Sequence, residues 1–506
     1  MTDSALPPPG GRAGQSAARR SGSISQPLPA VPPWALIGVG LLSSVVVGAL
    51  LADHHVKYGV GLVLVACYGP LVFFNFRIAL AVWVSILFFG DLSVLAAGPN
   101  AVGVLIGLGW LGFFVGGRSG VTIRREQRRL LLIIAGFCLW LTLTIAWAAN
   151  PSAAATEAAY WCLAALAFLI ILTSVRSPQD VGMIAIAFVV GAVVSVLIGL
   201  ATGSLESSTT LTSQTAIQGR FTGGGGDPNE QAAAFVAAMF LLIGLFAVYR
   251  RTWARVSLAL AFLLMAVGFF ATQSRGGLIA LAVATLAAFV IAPRQRARIL
   301  GLAALLALAG GILVAATPGA LSRITDVGGG TSGRNDLWRV AWQVFKTHPF
   351  AGVGAGNFQV VEAHYVLSPG GITRIQYFTD TPLLVHNTFL QLLAETGVLG
   401  LAGFLAVVVG SLWSGVRAAR LFEELGRSDY ADLTRSITMG TVGMLTALFF
   451  ISDGDDLRLW VLFGLGPALW GIATRARAKS AAGLGVQAGP RPRVRRRPAA
   501  SPAPRY

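Results

Sequence analysis

His386 heads the stretch HNTFLQLLAETG, which opens an apolar run long enough to be a membrane helix. A histidine can accept a proton near neutral pH, so this one is a candidate general base. The other reading is a satisfied structural histidine. Asn387, Gln391 and Glu395 follow at i, i+4 and i+8 and would share one helix face, with His386 about 100° round from them. At ~1.5 Å rise per residue, Glu395 lies about 14 Å along the axis from His386. The two cannot share one reacting atom. The spacing separates a candidate base from a stripe of supporting groups that pairs with buried polar or backbone sites and holds the helix in place.

Three arginines could supply cationic charge beside that base. Arg275, in TQSRGGLIAL, falls at the junction of two apolar runs. An arginine there either snorkels to headgroups or grips a pyrophosphate bidentately. Arg220 opens GRFTGGGGDPNEQAAAF, in which Asp227, Asn229 and Glu230 precede another apolar run. Asp227 or Asn229 either caps that helix, with Pro228 in an early position, or contacts a ligand. Arg334 begins GRNDLWRVAWQVFKTHP, where Leu337, Ala341, Val344 and Phe345 recur at helical spacing beside Trp338 and Trp342. This amphipathic helix is expected in the membrane interface. It either packs as a lid or covers a lipid-linked substrate and offers Arg334 to its phosphates. HPFAGVGAGNF, at 348–358, resembles a phosphate-cradling turn but lacks the preceding buried strand. It reads as a tight reversal that needs glycine's backbone freedom. The two long loops contain no Asp-x-Asp pair, so the scheme needs no metal. DGDD at 453–456 is the exception, and it reads as a solvated turn.

Such residues must be positioned by membrane helices. The chain has 506 residues, 55% hydrophobic and 12% charged, where a soluble domain carries about 25% charged residues. Apolar runs of roughly 17–25 residues recur, each able to cross a ~30 Å hydrocarbon layer. These runs are too long for barrel strands and predict an all-α polytopic membrane protein of about 12–14 spans. Spans are expected near 34–52, 58–75, 78–90, 101–117, 130–149, 156–174, 181–202, 231–249, 256–273, 277–292, 299–317, 386–414, 435–452 and 457–474. Residues 1–33 and 475–506 read as disordered tails. Residues 34–202 form an N-terminal set of spans, and 203–474 hold every candidate residue named above. Arginines precede the first apolar run, but no small-residue cleavage site follows it, so it reads as a span and not a removed signal peptide. Cys67, Cys138 and Cys162 fall inside spans, without disulfide or metal spacing.

Charge gives the orientation. With both termini inside, 29 of the 38 Lys and Arg fall on the cytoplasmic side, the positive-inside pattern. The formal charge of +17 is then orientation plus an Arg-rich tail, RPRVRRR at 491–497. Contact with anionic lipid accounts for that tail better than nucleic acid does. Two long loops, 203–230 and 318–385, face outward, and loops of that length are usually functional. All five histidines (His54, His55, His348, His364 and His386) fall on that outer side. The chemistry is therefore expected outside the cytoplasm, where no nucleotide is supplied.

The pieces GRFTGGGGDPNEQA, TQSRGGLIAL, SGRNDLWRVAWQVFKTHPFAGVGAGNF and HNTFLQLLAETGVLG occur in that order between about 219 and 400. In this the chain resembles the O-antigen ligase and polymerase (Wzy-C-like) family of membrane glycosyltransferases. The resemblance implies a GT-C-type bundle at the outer face of the plasma (inner) membrane. It implies transfer of a glycan from a polyprenyl-pyrophosphate carrier to a glycan, lipid or protein acceptor, with no cofactor and no nucleic acid. It carries donor-pyrophosphate contacts onto Arg275 and Arg334, with Arg220 a third outer arginine, and activation of the acceptor hydroxyl onto His386. Asp227, Asn229, Asn387 and Glu395 would support them. Base and cations together suit displacement of pyrophosphate from an anomeric carbon. The alternative is a transporter or flippase of lipid-linked glycan, which should carry its polar groups at mid-membrane and show symmetry between its halves.

Overall fold

A chain surrounded by hydrocarbon must satisfy its own amides, so uniformly apolar stretches become helices. The computed structural model describes residues 66, 68–89, 98–115, 123–201, 220–223, 226–316, 334–366 and 383–487. Among these residues the regular structure is helical throughout. In chain order the helices are α1 (Phe76–Ile86), α2 (Gly98–Val115), α3 (Arg125–Leu143), α4 (Pro151–Ser174), α5 (Pro178–Ala201), α6 (Pro228–Val248) and α7 (Thr252–Ala271). They continue with α8 (Arg275–Ile291), α9 (Arg296–Ala316), α10 (Arg334–Thr347), α11 (Phe358–Val366), α12 (Thr388–Glu424), α13 (Ser428–Ala447) and α14 (Leu457–Gln487).

Seven helices among the described residues are long and apolar enough to cross a membrane: α3 to α7, α12 and α14. The pair α8 and α9 raises this to eight if it forms one broken span, bent by 112°. The bend falls at Ala292–Pro293, where proline cannot donate into the helical ladder and a short 3-10 turn, Pro293–Gln295, intervenes. The chain is an all-α polytopic membrane protein. The expected span at 34–52 and half of that at 58–75, with His54, His55 and the Arg-rich run at 491–497, lie outside the described residues. The expected span at 78–90 shrinks to the 11-residue α1. The expected tail from 475 is also corrected, because α14 continues to Gln487. Arg475, Arg477 and Lys479 end the apolar stretch, but nothing in their chemistry ends a helix.

The core is built on α6, which is buried along almost its whole length. It packs mainly on α13, which also contacts α8 and α12. Small residues permit this, as they do between membrane helices generally. A side chain at Gly440 of α13 would stand 3.0 Å from the Ala237 carbonyl of α6. The α12 helix packs on α3, α13 and α14, where Phe137, Trp161, Phe404 and Trp460 make edge-to-face and tilted ring contacts. The α10 helix, outside the spans, packs on α11 and on the start of α12.

Candidate active site

Helix α6 starts after Asp227, whose Oδ1 accepts from the Asn229 amide at 2.6 Å, with Pro228 in the first turn. Helix α8 starts after Ser274, whose Oγ accepts from the Gly277 amide at 3.1 Å. Helix α12 starts after Asn387, whose Oδ1 accepts from the Leu390 amide at 3.1 Å. Each cap satisfies an amide that the helix itself leaves unpaired. Helix α10 begins at Arg334.

The starts of α6 and α8 meet. Asn229 Oδ1 accepts from Ser274 Oγ at 2.8 Å and from Arg220 Nη2 at 2.9 Å, while Arg220 Nε donates to the Thr272 carbonyl at 2.9 Å. Gly276 and Gly277 let the first turn of α8 lie against its neighbours, since a Cβ at Gly277 would stand 2.8 Å from Ala232 of α6. Arg334 feels the charges of Asp227 and Arg275, and His386 feels those of Arg334 and Asp227. Four helix starts, each a partial positive pole, therefore bring Arg275, Arg334, His386 and Asp227 within electrostatic reach of one another. Arg220 is a brace: two of its three guanidinium nitrogens are engaged by Asn229 and Thr272.

The electrostatics have a clear sign. Burial lowers the pKa of His386, Arg334 lowers it further, and Asp227 opposes them. These influences favour the neutral, proton-accepting imidazole. Burial also lowers the pKa of Arg334, Asp227 opposes this, and Arg275 adds to it. Arg275 is exposed, whereas Arg334 and His386 are half-buried. Two guanidiniums thus share the site with Asp227, an arrangement suited to an anionic ligand.

His386 is also backbone-strained, at φ 53, and Gln273, one residue before the cap of α8, is at φ 49. They are the two non-glycine residues with positive φ among the described residues. Such conformations cost about 1–3 kcal/mol and persist only where the surroundings fix them. The surroundings of His386 do so. Trp338 Nε1 donates to the Val385 carbonyl at 3.1 Å, and the Leu383 amide donates to Glu362 Oε1 at 2.8 Å. The Thr388 amide bonds the carbonyls of Leu448 and Ile451, each at 2.9 Å.

The polar stripe needs one correction. Asn387 caps α12 and does not stand on its face, since its φ of −159° is not helical. Gln391 and Glu395 do pair, with Gln391 Nε2 3.3 Å from Glu395 Oε1. Glu395 also accepts from the amides of Gly356 at 2.9 Å and Phe358 at 3.3 Å. The glycine-rich turn is thus anchored on the Glu395 side chain, and those amides are not directed at a phosphate. It also repairs a break in α12. Gly397, at φ 66 and ψ −169, interrupts the helix. The released carbonyls of Ala394 and Glu395 take the amides of Val353 and Gly354, and Val398 donates to Pro349. Broken backbone at membrane depth requires partners of this kind. A Cβ at Gly397 would stand 2.2 Å from the Phe350 carbonyl oxygen. Gly397→Ala should therefore lift the turn off α12 and cost about 3 kcal/mol, from overpacking and forbidden backbone together. A thermal-shift measurement in detergent checks this, and an unchanged melting temperature would refute it.

Sequence reasoning missed a packed turn against the start of α12. DGDD is packed and not solvated. Asp456 pairs with Arg458 at 2.8 Å, both side chains being under a tenth exposed. Trp460 Nε1 donates to the Gly454 carbonyl at 2.9 Å, and the Asp453 amide donates to Thr388 Oγ1 at 3.1 Å. Burial first, and Glu157 next, push the Asp455 carboxyl up to about 7. Burial and Glu230 raise that of Asp453. The acid run was the available signal, but its burial follows from Trp161 and Thr388 closing over Gly454. No group of three or more His, Cys, Asp or Glu placed to hold a metal ion occurs among the described residues.

Residues 260–405 match the O-antigen ligase family. The ligase-family stretch runs from α7 into α12 and contains Arg275, Arg334, His386 and Glu395. Arg220, Asp227 and Asn229 precede it, although the start of α6 completes the same cluster. Over 145 residues the chain is 26% identical to the teichuronic acid biosynthesis protein TuaE of Bacillus subtilis (strain 168). That similarity covers 28% of this chain and 27% of the relative's length.

Proposed function

We propose that the protein is a glycosyltransferase of cell-surface polysaccharide biosynthesis that uses a polyprenyl-pyrophosphate-linked glycan as donor. The observation that carries the reading is His386 at the start of α12 within electrostatic reach of Arg334, which in turn feels Arg275 and Asp227, all at helix starts. The O-antigen ligase match and the relative named for teichuronic acid biosynthesis support the same class. In this scheme His386 takes the proton of an acceptor hydroxyl as that oxygen attacks the anomeric carbon. The bond from that carbon to the pyrophosphate breaks. Polyprenyl pyrophosphate leaves, its charge met by Arg275 and Arg334. Asp227 balances the arginines and, with Asn229, fixes the start of α6. The distribution of Lys and Arg supports an extracytoplasmic site in a plasma membrane. Clustering of these groups at helix starts, rather than at mid-span, favours transfer over transport.

A deletion strain tests this reading. Single repeat units left uncoupled indicate a polymerase, and full-length chains stranded on the carrier indicate a ligase. Unaltered surface glycan overturns both. Arginines replace a metal in the scheme, so transfer by the purified protein should persist within about twofold after EDTA treatment, since ion-pair stabilisation of the leaving group needs no cation from solution. Loss of transfer that Mg²⁺ or Mn²⁺ restores would contradict it.

A further inference from the structure

The far end of α12, about 30 Å beyond the break at Gly397 at ~1.5 Å per residue, holds a second cationic site. A cavity of ≈ 260 Å³ lies between α8, α12 and α13, lined by Ile291, Val416, Ala419, Arg420, Arg435 and Thr438, among others. The Arg435 side chain is only 11% exposed and pairs with Glu423 through Nη2. Its Nη1 is 3.6 Å from Asp432 Oδ1, beyond hydrogen-bond range. Both atoms are buried without a hydrogen-bond partner. Arg420 is exposed and makes no ion pair among the described residues. Arg294 and Arg298 reach the same two carboxylates, at 2.6 Å from Glu423 and 3.8 Å from Asp432. Three arginines therefore share two acids, Arg420 adds a fourth cation at the cavity wall, and the buried Arg435 Nη1 has no hydrogen-bond partner. Burying such a donor is unfavourable unless something accepts from it.

The surroundings indicate what accepts. Val409, Trp413, Val416 and Arg420 lie at i, i+4, i+7 and i+11 on α12, on one face. Val409 is 63% exposed and Trp413 54%, and Val416 and Arg420 line the cavity. Ile291, on the opposite wall, is also exposed. An apolar stripe thus leads along the lipid-facing surface into a cationic recess. The recess is smaller than the about 300–1,000 Å³ typical of pockets that enclose a whole ligand. It suits a headgroup whose tails remain outside.

We propose that this cavity binds the phosphate of an anionic phospholipid, with acyl chains along the Val409–Trp413–Val416 stripe. The proposal is independent of the transferase reading. Native mass spectrometry of the full-length protein tests it, with phosphatidylglycerol, phosphatidylcholine and inorganic phosphate offered separately. Wild type should retain phosphatidylglycerol in preference to phosphatidylcholine. Arg420→Ala should weaken that retention about fivefold, as expected for one basic residue at a lipid headgroup. Val416→Phe should weaken it similarly by filling the cavity while leaving every charge in place. Equal retention of the two lipids, or unchanged retention in the variants, overturns the proposal. Inorganic phosphate that binds alone and displaces phosphatidylglycerol also overturns it, by assigning the recess to a free anion. If Val416→Phe fails to fold, Arg420→Ala decides the matter, because Arg420 takes no part in the ion pairs that hold α12 to α13.

Discussion

Replacing His386 with alanine should lower glycan transfer by about 10²–10⁴-fold, the usual worth of a general base, while the protein remains in the membrane. Alanine alone leaves one ambiguity, because His386 is both a candidate base and a residue with φ 53. Two companion variants resolve it. Asparagine tolerates the left-handed region better than most residues, yet offers no base. Glycine removes the backbone cost and offers no side chain. If His386 acts by taking a proton, all three variants lose transfer alike, and His386→Gly melts no lower than wild type. If it serves only to turn the chain into α12, asparagine and glycine retain transfer within about tenfold, well short of the loss expected for a base. That result would sink the proposed role. The assay is transfer from a lipid-linked donor by purified protein, with immunoblots of membrane fractions as the control for insertion.

Much of this arrangement could be read from the chain before its structure. Hydropathy alone marks α3 to α7, α12 and α14, because length and apolarity are what a bilayer demands of a span. Each of His386, Arg334, Arg275 and Asp227 is recognisable as standing at the start of an apolar or amphipathic run. That the starts of α6 and α8 meet is not legible. It depends on the Ser274–Asn229 hydrogen bond and on the small residues that let α8 lie on α6, contacts between segments far apart in sequence. Asn387 shows a narrower failure. Its spacing to Gln391 fits a helical face, but spacing cannot tell a cap from the first turn, and the cap hydrogen bond to Leu390 takes it out of the helix. The glycine-rich turn was legible as a reversal. Its docking on the break at Gly397 was not, because nothing local to LAETGVLG shows that Phe350 and Val353 will approach. DGDD failed for a related reason: four acidic or small residues look solvated until Trp161, Thr388 and Arg458 are brought to them.

Arg334→Ala should have two separable effects. If Arg334 meets the leaving pyrophosphate as proposed, removing this half-buried cation should reduce transfer by about 10²–10³-fold, comparable to losing one donor that stabilises developing charge. It should also move the acid limb of the rate–pH profile. His386 must be neutral to accept a proton, and burial and then Arg334 hold its pKa below the ordinary 6.5. Wild-type transfer should therefore fall only as pH drops below the usual histidine range. Without Arg334, one lowering charge is gone and water gains access to the ring. Both changes raise the pKa, so the limb moves to higher pH. Asp227→Asn removes the opposing charge and should move it lower. Arg334→Lys keeps the charge and should leave the limb in place, yet still lose transfer because a lysine cannot grip two phosphate oxygens in a planar fork. Profiles of kcat/KM for the three variants check this. A limb that stays fixed in Arg334→Ala, or moves to lower pH, would separate Arg334 from His386 and leave the arginine without the place in the site assigned to it.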